Sequence, residues 1–238
     1  GSNNPIGQAV DEYEMKDGSK FSWANPIHKE SPYENREPRF YANILYDGAQ
    51  WRQRPADVVP LDPLGIMQTG FYENANGTWR GGLDTRTGPI ENWNNTGSGY
   101  YRKKAIDPAF VFQFQVQESP WRFIRYAEIL LCYAEACNEL GEDAEAGKYV
   151  NMIRKRAGMT DINKSGAELR ESIRHERRVE LMFEDQRYFD IRRWMIAPQV
   201  MVNAMGIDIK YYIGKPKPIY TPIKIQDRAW KNQTYFMP

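Results

Sequence analysis

Between residues 119 and 198, apolar side chains recur every three or four positions, the period of helices with one buried face. Ile124, Ala127, Leu131 and Ala134 form one such stripe, continuing to Leu140. Ser119-Pro120 reads as its N-cap with proline in the first turn, and Gly141 as its stop. Asp143 can cap a second helix, which ends at Ala157-Gly158. Ser165 and Glu168 match the S-x-x-E capping box of a third, which carries Leu169, Ile173, Val179, Leu181 and Phe183. A fourth covers about 186–196 and is ended by Pro198. The helices fall into two pairs, and Ala127, Ala134 and Ala136 permit close approach.

Elsewhere the pattern changes. Phe40, Ala42, Ile44 and Tyr46 alternate with Tyr41, Asn43 and Leu45, which predicts a strand leading into an Asp47-Gly48 hairpin turn. Phe110, Phe112, Phe114 and Val116, interleaved with Gln113 and Gln115, predict another. Residues 62–104 read as a long irregular segment, a kind that is often functional. The chain thus divides into an irregular, loop-rich region with short strands (1–118), a helical repeat-like region (119–197) and an irregular C-terminal segment (198–238). The expected fold class is mainly α: tetratricopeptide-like helix pairs, long irregular loops and a few short β-strands.

Composition sharpens this only in places. The 238 residues are 41% hydrophobic and 26% charged, with a net charge of +1. That excludes wholesale disorder and argues against a nucleic-acid binder. No apolar run approaches the ~18 residues of a membrane span. Cys132 and Cys137 are five residues apart and point in different directions on a helix, so they are expected as buried free thiols. Gly1-Ser2 reads as a cloning remnant, and residues 3–20 hold no apolar leader core.

Two stretches carry candidate chemistry. Residues 168–193 hold seven acids and seven bases. One reading is an ion-pair network that fixes helix register. The other is a carboxylate pair, Glu176 and Glu180, for glycoside hydrolysis, which needs one carboxyl with a raised pKa. The surrounding guanidiniums would lower both, which disfavours a general acid. His175-Glu176 opens like a zinc-protease motif, but Val179 stands where the second histidine belongs. With no phosphate-binding or nucleophile motif, the chain is expected to be no enzyme and to need no cofactor or metal. The second stretch, 70–101, interleaves Phe71, Tyr72, Trp79, Trp93, Tyr100 and Tyr101 with Asn74, Asn76, Asn92, Asn94 and Asn95. Aromatic faces match the C–H faces of sugars, and amides match their hydroxyls. Trp79, Trp93, Tyr72, Tyr100 and Asn95 are the candidate ligand contacts; burial of the rings under the loop is the alternative.

An ordered set of blocks then suggests a family. Pro32-Tyr33-Glu34-Asn35-Arg36-Glu37-Pro38-Arg39-Phe40 resembles the PYxNRDPRF segment of the SusD/RagB family. The same family is resembled by Gly99-Tyr100-Tyr101 with Lys104, by Arg125-Tyr126-Ala127-Glu128-Ile129-Leu130-Leu131, and by the 151–158 block ending Arg156-Ala157-Gly158. Glu176-Arg177-Arg178-Val179-Glu180-Leu181 and the 187–194 block complete the series. The resemblance implies an α-helical fold with tetratricopeptide-like units and scaffold roles for residues 176–194. It also implies a surface-exposed outer-membrane lipoprotein of Bacteroidetes that captures oligo- or polysaccharide, without catalysis, for a SusC-like TonB-dependent transporter. Family members are about twice as long, so the chain is expected to be one C-terminal SusD-like domain of a longer protein. The membrane would be met only through a lipid anchor outside this chain. A helical-repeat adaptor binding a protein or peptide is the alternative function.

Overall fold

The structure is a computed structural model that describes residues 4–90, 92–109 and 122–235. Three short helices come first: α1 (Gly7–Asp11), α2 (Pro26–Glu30) and α3 (Pro38–Asn43). Helix α3 replaces the first part of the strand predicted over 39–46, of which Ile44–Leu45 alone is strand. Pro38 occupies its first turn, where a fixed φ and a missing N–H cost nothing. Phe40 and Asn43, three residues apart, are both buried. Six residues of mixed polarity fit either period, and packing selects the helical one.

Four short strands follow: β1 (Ile44–Leu45), β2 (Phe71–Glu73), β3 (Trp79–Gly81) and β4 (Tyr101–Arg102). The Asp47-Gly48 turn forms, with Gly48 at φ +83° and the Ala49 N–H donating to the Tyr46 carbonyl. It closes no two-stranded hairpin, because β1 pairs antiparallel with the distant β4. Residues 110–116 and the Ser119-Pro120 cap lie outside the described residues.

The helical region contains α4 (Tyr126–Glu139), α5 (Asp143–Arg156), α6 (Gly166–Glu180) and α7 (Gln186–Arg193). Glycines stop the first two as predicted. Gly141 (φ +80°) and Gly158 (φ +74°) take the left-handed conformation beyond the last turn. The following N–H groups of Glu142 and Met159 return to the carbonyls of Cys137 and Arg154. The starts differ from expectation. Helix α4 begins at Tyr126, and Ile124 stands exposed before it. Glu142, not Asp143, is the cap residue of α5, and Ser165 makes no capping bond for α6. Asp143 does that work instead, accepting from Gly166 N at 2.7 Å and from Asn138 Nδ2 at 2.7 Å, so one carboxylate ties three helices. Helix α7 ends at Arg193, and Pro198 lies in the first turn of a further short helix, α8 (Ala197–Val200).

Ala134, Cys137, Ala146, Val150, Leu169 and Ile173 form the core between α4, α5 and α6. The fully buried Ala134 and Ala146 let the helices approach closely. Both cysteines are free; Cys137 is buried as expected, whereas Cys132 is exposed.

The segment read as irregular after residue 198 holds the two longest strands among the described residues, β5 (Ala204–Tyr211) and β6 (Ile219–Gln226). They form a four-stranded sheet in the order β3-β2-β5-β6, with β2 parallel to β5 and the other pairs antiparallel. This sheet joins the two ends of the chain. Ile207 and Ile209 of β5 enter one core with Val10 of α1, Tyr13 just beyond it, Phe40 of α3, Tyr100 and Val179 of α6. Arg36 runs through that core, donating to the carbonyls of Pro32, Val10 and Tyr13 between the rings of Phe21 and Phe40.

Asp11, at the end of α1, gives the fold a pH dependence. Burial pushes its pKa up to about 6, against the opposing hydrogen bond from Trp23 Nε1. The folded state therefore keeps a proton that the unfolded chain releases near pH ~4. Its contribution to stability falls as pH rises from ~4 through 6, by about 2 kcal/mol. Denaturant titrations at pH 4 and 7 should show wild type losing that much more than Asp11→Asn.

Candidate functional site

The charge array resolves into a buried network. Glu176 accepts from Arg39 at 2.5 Å and from Arg154 at 3.1 Å. Glu180 takes Arg39, Arg125 and Arg156, at 3.0, 3.0 and 2.7 Å. Glu37 and Glu14 supply further anions to Arg39 and Arg154. The two carboxylates are 1% and 4% exposed, and their oxygens are held by guanidiniums. Such a pair lacks the access to substrate that a glycosidase acid requires. His175 turns its ring to the Glu12 carbonyl at 2.8 Å.

The aromatic stretch separates into buried and exposed parts. Tyr100 is 1% exposed and packs edge-on against Tyr33 in the core, so it presents no face to a ligand. The Asn95 amide is also committed. Its Nδ2 donates to the carbonyls of Leu83, Thr85 and Ile90, and its Oδ1 accepts from Tyr101 Oη. Both are structural, a correction to their expected role as ligand contacts. Asn74 and Asn76 bond Thr78 and shape the β2–β3 hairpin tip around Gly77 (φ +78°). Loop acids Asp62 and Asp84 neutralise Arg54, each at 2.7 Å.

Trp79 and Tyr72 lie on the β2–β3 hairpin at the edge of the sheet. Register places Tyr72 opposite Arg80 and Tyr211, and Trp79 opposite Glu73. Side chains alternate along a strand, so Tyr72 and Trp79 occupy opposite faces. Each finds a tyrosine of the C-terminal hairpin. Tyr72 stacks on Tyr211 with ring centroids 4.6 Å apart and planes 11° apart. Trp79 meets Tyr212 edge-on at 5.1 Å. Arg80 lies 5.0 Å over the Tyr72 ring, and Lys210 lies 5.4 Å over Trp79. Trp79 remains 37% exposed. Trp93 is 75% exposed on a 3₁₀ turn (Asn92–Asn94) and joins no ring cluster among the described residues.

Two local devices hold this edge. A Cβ at Gly70 would come within 2.7 Å of the Tyr211 ring, so only glycine lets that ring lie flat. Asp47, buried in the turn after β1, accepts from Thr69 N at 2.7 Å, Gly70 N at 2.9 Å and Tyr211 Oη. Burial and the Asp47 charge push the Tyr211 hydroxyl pKa upward, which keeps it a donor. Asp47→Ala would orphan those three donors and should cost about 3 kcal/mol or more in denaturant titrations, at ~1–3 per buried unpaired group. Sequence reasoning missed Tyr211 and Tyr212; the signal was a tyrosine doublet ahead of Gly214.

The likeness to known proteins follows this architecture. A sequence profile of the SusD family matches residues 3–238. The chain belongs to the SusD family. SusD-like protein P2 of Formosa agariphila is 42% identical over 96 residues, which take in 35% of this chain and 19% of that protein. SusD-like protein P38 of the same organism is 34% identical over 118 residues, 45% and 22% of the two chains. Among solved structures, a SusD-like protein from Bacteroides fragilis superposes with a TM-score of 0.72 at 32% identity, over 97% of this chain and 42% of that one. A second from that species, described as a SusD-like carbohydrate binding protein, gives 0.71 at 26% identity, over 98% and 45%. The chain thus spans less than half the length of these solved relatives, and its matches take in about a fifth of the curated ones. The shared fold includes the mainly helical scaffold with its loops and short strands.

Proposed function

We propose that this SusD-family chain is the C-terminal part of a non-catalytic, surface-exposed glycan-binding protein. The parent would be lipid-anchored in an outer membrane and hand oligo- or polysaccharide to a SusC-like TonB-dependent transporter. The observation that carries the reading is the exposed Trp79 with its tyrosine partners on a braced sheet edge, in a family with a relative described as carbohydrate binding. Trp79 supplies a stacking face with Tyr212 at its flank, Tyr72 a ring on the opposite face of the hairpin, and Trp93 a separate contact. The commitment of Glu176 and Glu180 to arginines supports binding without turnover. Calorimetric titration with a panel of polysaccharides, assaying the same samples for new reducing ends, tests this. Heat without new ends supports the reading; new ends contradict it.

The protein-docking alternative has its own observation. Tyr126, Ile129, Tyr133 and Leu140 are exposed along one side of α4, with Phe123 and Ile124 ahead of it. If the helix pairs act as tetratricopeptide-like docking units, Ile129→Glu in the full-length parent should abolish co-purification with the transporter and leave glycan affinity unchanged.

A further inference from the structure

A cavity of about 820 Å³ opens between α1, β4, the α6–α7 turn, α7, the end of α8 and Arg228 beyond β6. That volume lies within the ~300–1,000 Å³ of ordinary small-molecule sites. It is separate from the Trp79 edge. Ile6, Leu181, Phe183 and Phe189 supply apolar wall.

The polar part of the wall is cationic. Five arginines line it: Arg102, Arg177, Arg178, Arg187 and Arg228. Two are answered, Arg177 by Asp190 at 2.8 Å and Arg178 by Glu12 at 2.5 Å. The other three have no carboxylate within ion-pair distance among the described residues; Arg228 reaches only the Gln226 amide, at 3.0 Å. The lining holds two acids. Asp190 is occupied by Arg177 and Arg193, and Asp185 is exposed. Arg187 is partly buried, and burial together with Arg178 lowers its pKa to about 10 against the smaller opposing pull of Glu12 and Asp190, both of which are paired with other arginines. A guanidinium held partly out of water with no carboxylate paired to it is costly unless something answers it.

The backbone at this wall is also unusual. Phe183 (φ +66°) and Asp185 (φ +61°) both take the left-handed conformation, which costs a non-glycine residue about 1 kcal/mol or more. Between them, Glu184 is pinned by Arg125 and Lys104. That pinning holds the turn in a shape that gives Phe183 to the cavity.

We infer that this cavity is a second ligand site, for a carboxylate or sulfate ester carried on a sugar-sized body. Planar guanidinium forks bind both oxyanions in paired hydrogen bonds, and the apolar wall takes the body's C–H face. A neutral sugar would leave three cations unanswered. A bare anion would leave the apolar wall empty.

The test uses this chain at constant ionic strength with four probes: glucuronate, glucose 6-sulfate, glucose and inorganic sulfate. Glucuronate or glucose 6-sulfate should bind at least tenfold more tightly than glucose and than inorganic sulfate, and whichever binds more tightly identifies the anion. Arg187→Gln and Arg228→Gln should each weaken that probe at least tenfold. Arg187→Gln should not lower folding stability, since no acid loses its partner. Trp79→Ala should leave this binding unchanged, which separates the cavity from the proposed glycan edge. Equal binding of glucose, equal binding of inorganic sulfate, or undiminished affinity in both arginine variants would overturn the assignment.

Discussion

Replacing Glu176 with alanine is expected to cost about 3–5 kcal/mol of folding stability, the scale for breaking a buried ion pair from one side. Glu176 is almost fully enclosed and bonds Arg39 of α3 and Arg154 of α5 at once. Without it two buried guanidiniums lose an anion. The cost should fall toward the lower end, because Arg39 keeps Glu37 and Glu180 and Arg154 keeps Glu14. Glu176→Gln keeps the shape and loses the charge, so it should be nearly as damaging. Glu171, exposed and paired only with its neighbour Arg174, gives the contrast. Glu171→Ala should change stability by no more than ~0.5 kcal/mol. Urea titrations of the three variants check the ranking. Equal effects at Glu176 and Glu171 would contradict a structural network.

Trp79→Ala is expected to weaken glycan binding about tenfold or more while the helices stay folded. Exposed rings that anchor a ligand are commonly worth ~2 kcal/mol when truncated. Trp79 contributes little to the core, so its removal should leave the denaturation midpoint nearly unchanged. Trp93→Ala should weaken binding less, since Trp93 has no aromatic neighbour among the described residues to extend its surface. Calorimetry on the two variants measures both effects. Unchanged affinity in both would remove the loop aromatics from the account.

The helices were legible because their signals are local. Gly141 and Gly158 mark ends where a left-handed residue is required, and the stripe through Leu131 and Ala134 marks the buried face. The cap of α6 was not legible, because Asp143 reaches it from another helix. The C-terminal hairpin did leave a trace: Ile207 and Ile209 alternate with Asp208 and Lys210. Pro222 obscured its partner strand, yet a proline is tolerated on an edge strand such as β6. The site divides in the same way. The aromatic and amide residues could be named from sequence, but burial of Tyr100 and commitment of Asn95 depend on partners the linear pattern does not reveal. Tyr211 and Tyr212 reach Tyr72 and Trp79 only because β2 pairs with β5. Likewise the acids of 168–193 announced a network, but Arg39, its central cation, lies at the other end of the chain.

Hydroxyl-radical footprinting of the chain, with and without a saturating glycan from the calorimetric panel, tests the central claim most directly. The account predicts that oxidation of Trp79 and Tyr212 drops several-fold on binding, while exposed Tyr126 and Tyr133 on α4 stay unchanged. Protection confined to α4, with Trp79 as reactive as before, would contradict it.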